Sequence, residues 1–230
     1  MNGQSERPGV TAIVPAHNEA GRVAATVRAL RSIPEVGEVV VVDDGSTDAT
    51  GLEASDAGAR VIGLVLNKGK GAALDAGTAA ASAPVLLLAD ADLEGSAANL
   101  RALLAPVLTD EADVAIAAPP RAGGPSGFGL VEALAGWGIR RLTGRTMDRP
   151  LSGQRAVRAE VVRTLGGFAA RFGAETALTV DALRAGYRVV EVPCEIRHAA
   201  TGRDPAGFAH RARQGADVAL TLFGRWRRTR

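Results

Sequence analysis

The chain has 230 residues, 47% of them apolar and 23% charged, the balance of a soluble globular protein. A chain this long buries about 70% of the surface its unfolded form exposes, so a core forms without disulfides or a structural metal. The net charge is only +2, and Cys194 is the sole cysteine, which excludes an internal disulfide and a multi-cysteine zinc site and fits the cytoplasm.

Residues 1–9 read as a flexible tail without the apolar core of a signal peptide. Residues 10–14 form a short apolar strand that PAHNEAG interrupts. From Glu19 a helix follows, with Val23, Val27 and Leu30 on one face. Residues 39–42, VVVV, suit a strand buried on both faces. DDGST then opens a turn and offers Ser46 as a helix cap. A third strand is predicted over 61–66, a helix over 69–81, a fourth strand over 85–89 and a helix over 96–104. A fifth strand spans 113–117. This alternation predicts a mainly parallel sheet covered by helices on both faces.

Beyond 118 the pattern loosens. Residues 119–129, rich in glycine and proline, read as a mobile loop, 130–142 as a helix and 143–154 as a connection. Residues 175–185 read as a helix, 187–192 as a strand and 194–198 as a second strand of an edge hairpin. Residues 205–222 read as one closing helix. The domain reading is a tail (1–9), a regular α/β region (10–118), a less regular region of the same domain (119–204), and a closing helix with a basic tail (205–230).

Lys68 and Lys70 are the only lysines; the other basic residues are arginines. Residues 197–230 hold eight arginines against Asp204 and Asp217, so the C-terminus is strongly basic and the rest of the chain slightly acidic. Such an end suits an anionic lipid or phosphate partner, or plain solvent. No run approaches the ~20 apolar residues that span a bilayer, so any membrane contact is peripheral, at the inner face. Nucleic acid is not expected, because the few aromatics form no stacking platform.

Ligands of open α/β sheets bind beyond the carboxyl ends of the strands. Three polar segments follow apolar strands directly: residues 16–19, 43–47 and 90–92. Asp90 and Asp92 put two carboxylates at a strand end, a donor type that hard cations such as Mg2+ or Mn2+ take together with phosphate oxygens. Asp43 and Asp44 offer carboxylates to a base or ribose, or serve a turn. In NKGKG, residues 67–71, glycines permit close backbone approach and Lys68 and Lys70 can meet a diphosphate. The spacing is neither a Walker A loop nor GxGxxG.

VPAHNEA, VVVDDGSTD, NKGKGAAL and LLLADAD, in that order, resemble family 2 glycosyltransferases with a GT-A fold, over residues 10–118. The resemblance implies that Pro15, Ala16, Asn18 and Glu19 line the nucleotide. It also puts Asp43 or Asp44 near the base, and Lys68 and Lys70 near base or phosphate. Asp92 becomes the direct metal ligand, with Asp90 and Ala91 beside the donor. LSGQRAVRAE, GGFAARFGAET and VEVPCEIRHAATGRD are similar to the subset holding glucosyl-3-phosphoglycerate synthases and dolichyl-phosphate mannosyltransferase-like enzymes. That likeness implies His198 as a second metal ligand, Arg197 and Arg203 as phosphate grips, and Gln154 and Arg155 in the acceptor wall.

The implied reaction moves a sugar, glucose first, from a UDP-sugar or GDP-sugar to a small phosphorylated or polyprenyl-phosphate acceptor. Glu175, in FGAET, is the candidate base of an inverting reaction; it equally suits a helix N-terminus. A retaining reaction dispenses with that base. A sugar-phosphate nucleotidyltransferase and a non-catalytic sugar-nucleotide-binding module are the alternatives; PAHNEAG lacks the glycine-rich loop of the former. No feature selects an oligomeric state, a dimer included.

Overall fold

Apolar side chains alternate between the two sides of each central strand, and both sides meet a helical layer. The computed structural model describes residues 9–120, 129–168 and 173–197, with Ala219, Leu220, Phe223 and Arg225. Its strands are β1 (Val10–Ala16), β2 (Val36–Asp43), β3 (Arg60–Gly63), β4 (Val85–Leu88), β5 (Val114–Ala118), β6 (Arg155–Arg158) and β7 (Val189–Pro193). The α-helices are α1 (Val23–Arg31), α2 (Thr50–Asp56), α3 (Lys70–Ala80), α4 (Leu104–Leu108), α5 (Gly129–Thr143), α6 (Ala159–Leu165) and α7 (Ala174–Arg184). A 3-10 segment, Glu94–Leu103, leads into α4 where an α-helix is expected.

The sheet order is β3-β2-β1-β4-β6-β5-β7. β6 pairs antiparallel with β4 and β5, and the remaining pairings are parallel. The predicted α/β class therefore holds, as a mixed, mainly parallel GT-A, Rossmann-like sheet. Val10, Ala12 and Val14 face a core shared with α1, α2, the 3-10 segment and α4. Ile13, Leu86 and Leu88 face the opposite core, with Leu74 of α3, Val161 and Val162 of α6 and Ala182 of α7. Burial of these aliphatic side chains, about 1.5–3 kcal/mol each, drives the layering.

Four local expectations change. β3 stops at Gly63, and Val65 and Leu66 are 95% and 69% exposed, because the chain turns away toward the lysine loop. Ser46 does not cap α2; its hydroxyl accepts the Asn18 amide at 3.0 Å instead. No edge hairpin forms over 194–197: β7 runs parallel to β5, and Cys194–Arg197 lean on the 3-10 segment through Asn99 and Ser96. β6, not expected from the sequence, fills the gap between β4 and β5. The loop predicted over 119–129 and the closing helix over 205–222 lie largely outside the described residues, as do His198 and Arg203.

Candidate active site

Parallel strands deliver their carboxyl ends to one sheet edge. Antiparallel β6 delivers its amino end there, since Arg155 lies opposite Leu88. The loops after β1, β2, β3 and β4 and the loop before β6 therefore meet.

The first two loops are stitched together by hydrogen bonds. Asp44 donates its amide to the Ala16 carbonyl at 2.8 Å, and His17 Nδ1 bonds the Asp44 carbonyl at 2.9 Å. Asn18 adopts φ 56°, a left-handed conformation that asparagine tolerates, and its Oδ1 accepts the Thr47 amide at 2.9 Å. Glu19 donates its amide to Thr50 Oγ1 at 2.7 Å. Pro15 is half-buried and Ala16 is buried, so this segment offers mainly backbone and the Asn18 and Glu19 side chains.

The Asp44 carboxylate fastens the lysine loop. Its Oδ1 accepts the Lys68 amide and its Oδ2 the Gly69 amide, both at 2.8 Å. It is 4% exposed, so of the two neighbouring acids Asp43 is the half-buried one nearer solvent. Asp43 Oδ1 in turn accepts the Ser46 amide at 2.9 Å. Gly45 makes the closeness possible: a Cβ there would sit 2.8 Å from the Asn67 amide nitrogen. Lys68 is left exposed at the mouth, and the amino end of α3 points its first-turn amides toward the same edge. Asp44→Ala should lower the melting temperature and raise the donor KM about tenfold, since two amides lose an ionic acceptor, each such bond contributing about 1.5–3 kcal/mol. Thermal melts with donor kinetics check this; an unaltered donor KM would confine Asp44 to the fold.

Lys70 turns inward. Its ammonium lies 2.7 Å from Asp90 Oδ1 and 2.7 Å from Glu175 Oε1. Gln154 Nε2 donates to Asp90 Oδ2 at 2.6 Å. Burial alone would pull the lysine pKa down, but the Asp90 and Glu175 charges outweigh it and hold it above the ordinary value. Gly153 roofs the cluster: a Cβ there would meet Lys70 Nζ at 2.7 Å and the Asp90 and Glu175 oxygens at 3.4 Å. Glu175 occupies the first turn of α7, 14% exposed. Glu19 completes the acidic surroundings. Its carboxyl is held above the usual value by burial first, against the opposing Arg22, and then by the charges of Asp92 and Asp90.

Ala91 is buried, and its carbonyl accepts the Thr26 hydroxyl at 2.8 Å, which ties the Asp90–Asp92 turn to α1. Asp92 is half-buried. Arg155 corrects the expectation of an acceptor wall. It is 0% exposed, donates Nε and Nη2 to the Ser152 carbonyl at 3.1 and 3.0 Å, and donates Nη1 to Thr179 Oγ1 at 2.8 Å. Burial lowers its pKa to about 10, against the raising charges of Glu175 and Glu191, so it stays cationic at neutral pH and props the 152–154 loop from below. Gln154 is likewise buried, and reaches the site through its bond to Asp90. Arg197 is exposed beside a cleft of about 480 Å³ bounded by Ser96, Asn99, Pro119, Pro120 and Glu195. Sequence reasoning missed Gly153 and the Lys70–Glu175 contact; the SGQ triplet after a loop was the only local signal for the former.

A model of the family described as glycosyl transferase family 2 matches residues 11–156. An uncharacterized glycosyltransferase of Mycobacterium tuberculosis is 32% identical over 186 residues, which cover 80% of this chain and 83% of that protein. An undecaprenyl-phosphate mannosyltransferase of Micrococcus luteus is 30% identical over 200 residues, 80% of this chain and 82% of its own. Among solved structures, Mycobacterium tuberculosis glucosyl-3-phosphoglycerate synthase with phosphoglyceric acid superposes with a TM-score of 0.81 and 26% identity. That match covers 95% of this chain and 80% of that one. The same synthase with Mn2+, UDP-glucose and phosphoglyceric acid gives a TM-score of 0.78, again at 26% identity, over 95% and 79% of the two chains. Family match, sheet order and the polar loops gathered at one sheet edge agree: the chain is an enzyme of glycosyl transferase family 2.

Proposed function

We propose that the enzyme transfers a sugar from a nucleoside diphosphate to a phosphorylated acceptor, with UDP-glucose as the first donor and GDP-mannose as the second. One observation carries the reading: Lys70, Asp90, Glu175 and Gln154 converge beside the Asp44-fastened lysine loop, beyond the strand ends. The solved synthase with Mn2+, UDP-glucose and phosphoglyceric acid supports this donor and a small phosphorylated acid as acceptor. The mannosyltransferase relative supports a polyprenyl phosphate in the acceptor role.

Residues 10–118 hold the donor in this reading and 119–204 form the acceptor side. Asn18, Glu19 and Asp43 bound the nucleotide pocket, while Lys68 and the amino end of α3 face the diphosphate. Asp90 and Glu175, held apart and oriented by Lys70, accept hydrogen bonds from donor hydroxyls. Arg197 and Arg203 supply cations for acceptor phosphate.

Among the described residues no three His, Cys, Asp or Glu side chains form a metal-holding group. A divalent cation that keeps waters and phosphate oxygens needs only one or two protein ligands, and the hard carboxylate of Asp92, in the acidic field that also raises the Glu19 pKa, fits that chemistry. Mg2+ or Mn2+ would be held by Asp92 and His198 and would neutralise charge on the leaving diphosphate.

The test is a donor and acceptor screen with Mn2+, read by product mass and anomeric configuration. Glucosyl or mannosyl transfer is expected. Pyrophosphate release from a nucleoside triphosphate and a sugar phosphate would replace this reading with a nucleotidyltransferase, and donor binding without turnover on any acceptor would replace it with a binding module. An inverted product gives Glu175 the base role; a retained one leaves it on the donor.

Among the described residues no helix is long and apolar enough to cross a membrane. The reading places the enzyme in the cytoplasm or on the inner membrane face.

A further inference from the structure

α5 buries one side against α7 and, among the described residues, leaves the other side exposed. Ala135 and Ile139 pack on Val180 of α7. On the opposite side Ala133, Trp137, Arg140, Arg141 and Gly144 are exposed at spacings of three and four, which is a single helical face. Trp137 is 64% exposed, an unusual position for the largest side chain. Arg145 extends the face past the helix end. Asp148 is the one exposed acid between residues 131 and 150; the other acid there, Glu132, is half-buried and paired with Arg149 at 3.3 Å. Arg184 of α7 donates Nε to the Leu142 carbonyl at 3.4 Å and Nη1 to the Arg225 carbonyl at 3.1 Å. One guanidinium thus sets Arg225 beside the end of α5, near Leu220 and Phe223, themselves 68% and 54% exposed.

We propose that this face, centred on Trp137 with Arg140, Arg141 and Arg145, docks the enzyme on an anionic lipid bilayer. A tryptophan flanked by arginines matches the interface, where the ring sits at headgroup depth and the guanidiniums meet phosphates. Charge selects lipid over a second copy of the chain, because a two-fold contact would press these arginines against themselves. It also selects lipid over nucleic acid, for one exposed ring makes no stacking platform. The face is separate from the lysine and carboxylate cluster: Glu175 lies in the first turn of α7 and Arg184 ends it, nine positions or about 14 Å apart along the helix. Docking is therefore independent of the transfer reaction.

The full chain is sedimented with vesicles of phosphatidylcholine, with and without phosphatidylglycerol. Binding is expected only to the mixed vesicles and to weaken with salt. Arg140→Gln, Arg141→Gln and Arg145→Gln together should lower the partition coefficient about 100-fold, at about fivefold per arginine. In a Trp226→Phe background, Trp137 emission should shift to the blue on vesicle addition. Turnover on a water-soluble acceptor should stay that of the parent. Equal binding to neutral vesicles overturns the proposal, as does a Trp137 spectrum indifferent to lipid. Loss of binding on replacing Arg227, Arg228 and Arg230, with none on replacing the α5 arginines, also overturns it. So does a Trp137→Ser change in solution mass, which would mark a face between copies.

Discussion

Lys70→Met should lower kcat by about 100- to 1,000-fold, the cost of deleting one preorganised donor from an active site. Methionine keeps the length and apolar stem of lysine, so the packing beneath Gly153 survives and only the ammonium is lost. Asp90 and Glu175, bridged by that ammonium at 2.7 Å on either side, then face each other as like charges. Gln154 still holds one Asp90 oxygen, but nothing replaces the bridge to Glu175. The side chains involved are 14% to 28% exposed, so the stability loss is below that of a fully buried pair, about 2 kcal/mol. Its pH dependence has a definite sign. The lysine pKa is raised on folding, so the stabilisation is complete below the ordinary lysine value of about 10.4 and vanishes only as pH climbs through the higher folded value. The melting difference between parent and variant should therefore be flat from pH 7 to 9. Lys70→Arg should not rescue turnover, since the space beside Gly153 that Nζ fills is too tight for a guanidinium. Parental kcat in Lys70→Met would remove the ammonium from the reaction.

This cluster also marks the limit of what local sequence conveys. Lys70 and Glu175 lie more than a hundred positions apart, and each alone has a bland reading, one as a loop cation and the other as a helix-start acid. Only the sheet order, with β6 reversed beside β4, brings them together. β6 itself was illegible because RAVR is short and begins with an arginine that ought to be exposed. In the fold that arginine is buried, its charge spent on the Ser152 carbonyl and Thr179. By contrast VVVV announced two-sided burial, and the strand-end positions of Asn18, Asp43, Lys68 and Asp90 announced a common edge. Parallel strands send their carboxyl ends the same way, so the edge was readable. The division of labour along it was not: Asp44 and Asp43 are equivalent in sequence, yet backbone amides claim both oxygens of Asp44.

The proposed roles of Asp92 and Asp90 also differ, and Asp92→Asn is the sharpest test of that difference. Both oxygens of Asp90 are already engaged, one by the Lys70 ammonium and one by the Gln154 amide, so a cation at Asp90 would have to compete with a resident positive charge. Asp92 is half-buried on the same turn, close enough for its charge to raise the Glu19 pKa. Asparagine preserves its shape and removes its charge, and a hard cation loses most of its attraction to the site. Turnover with Mn2+ or Mg2+ should fall by about 1,000-fold or more, comparable to losing a principal electrostatic contact in the transition state. Chelation of the parent should mimic the variant, and added Mn2+ should restore the parent alone. Two measurements keep the result from being a folding artefact. The melting temperature should stay near that of the parent, because asparagine keeps the shape of the aspartate side chain. Mn2+ titration in the presence of UDP, followed by its paramagnetic resonance signal, should show tight uptake by the parent and none by the variant. Asp90→Asn should reverse the pattern, keeping Mn2+ uptake while the Lys70 contact weakens and the donor KM rises. Mn2+ uptake that survives in Asp92→Asn and disappears in Asp90→Asn would exchange the two roles, and with them the orientation of the donor on the sheet edge.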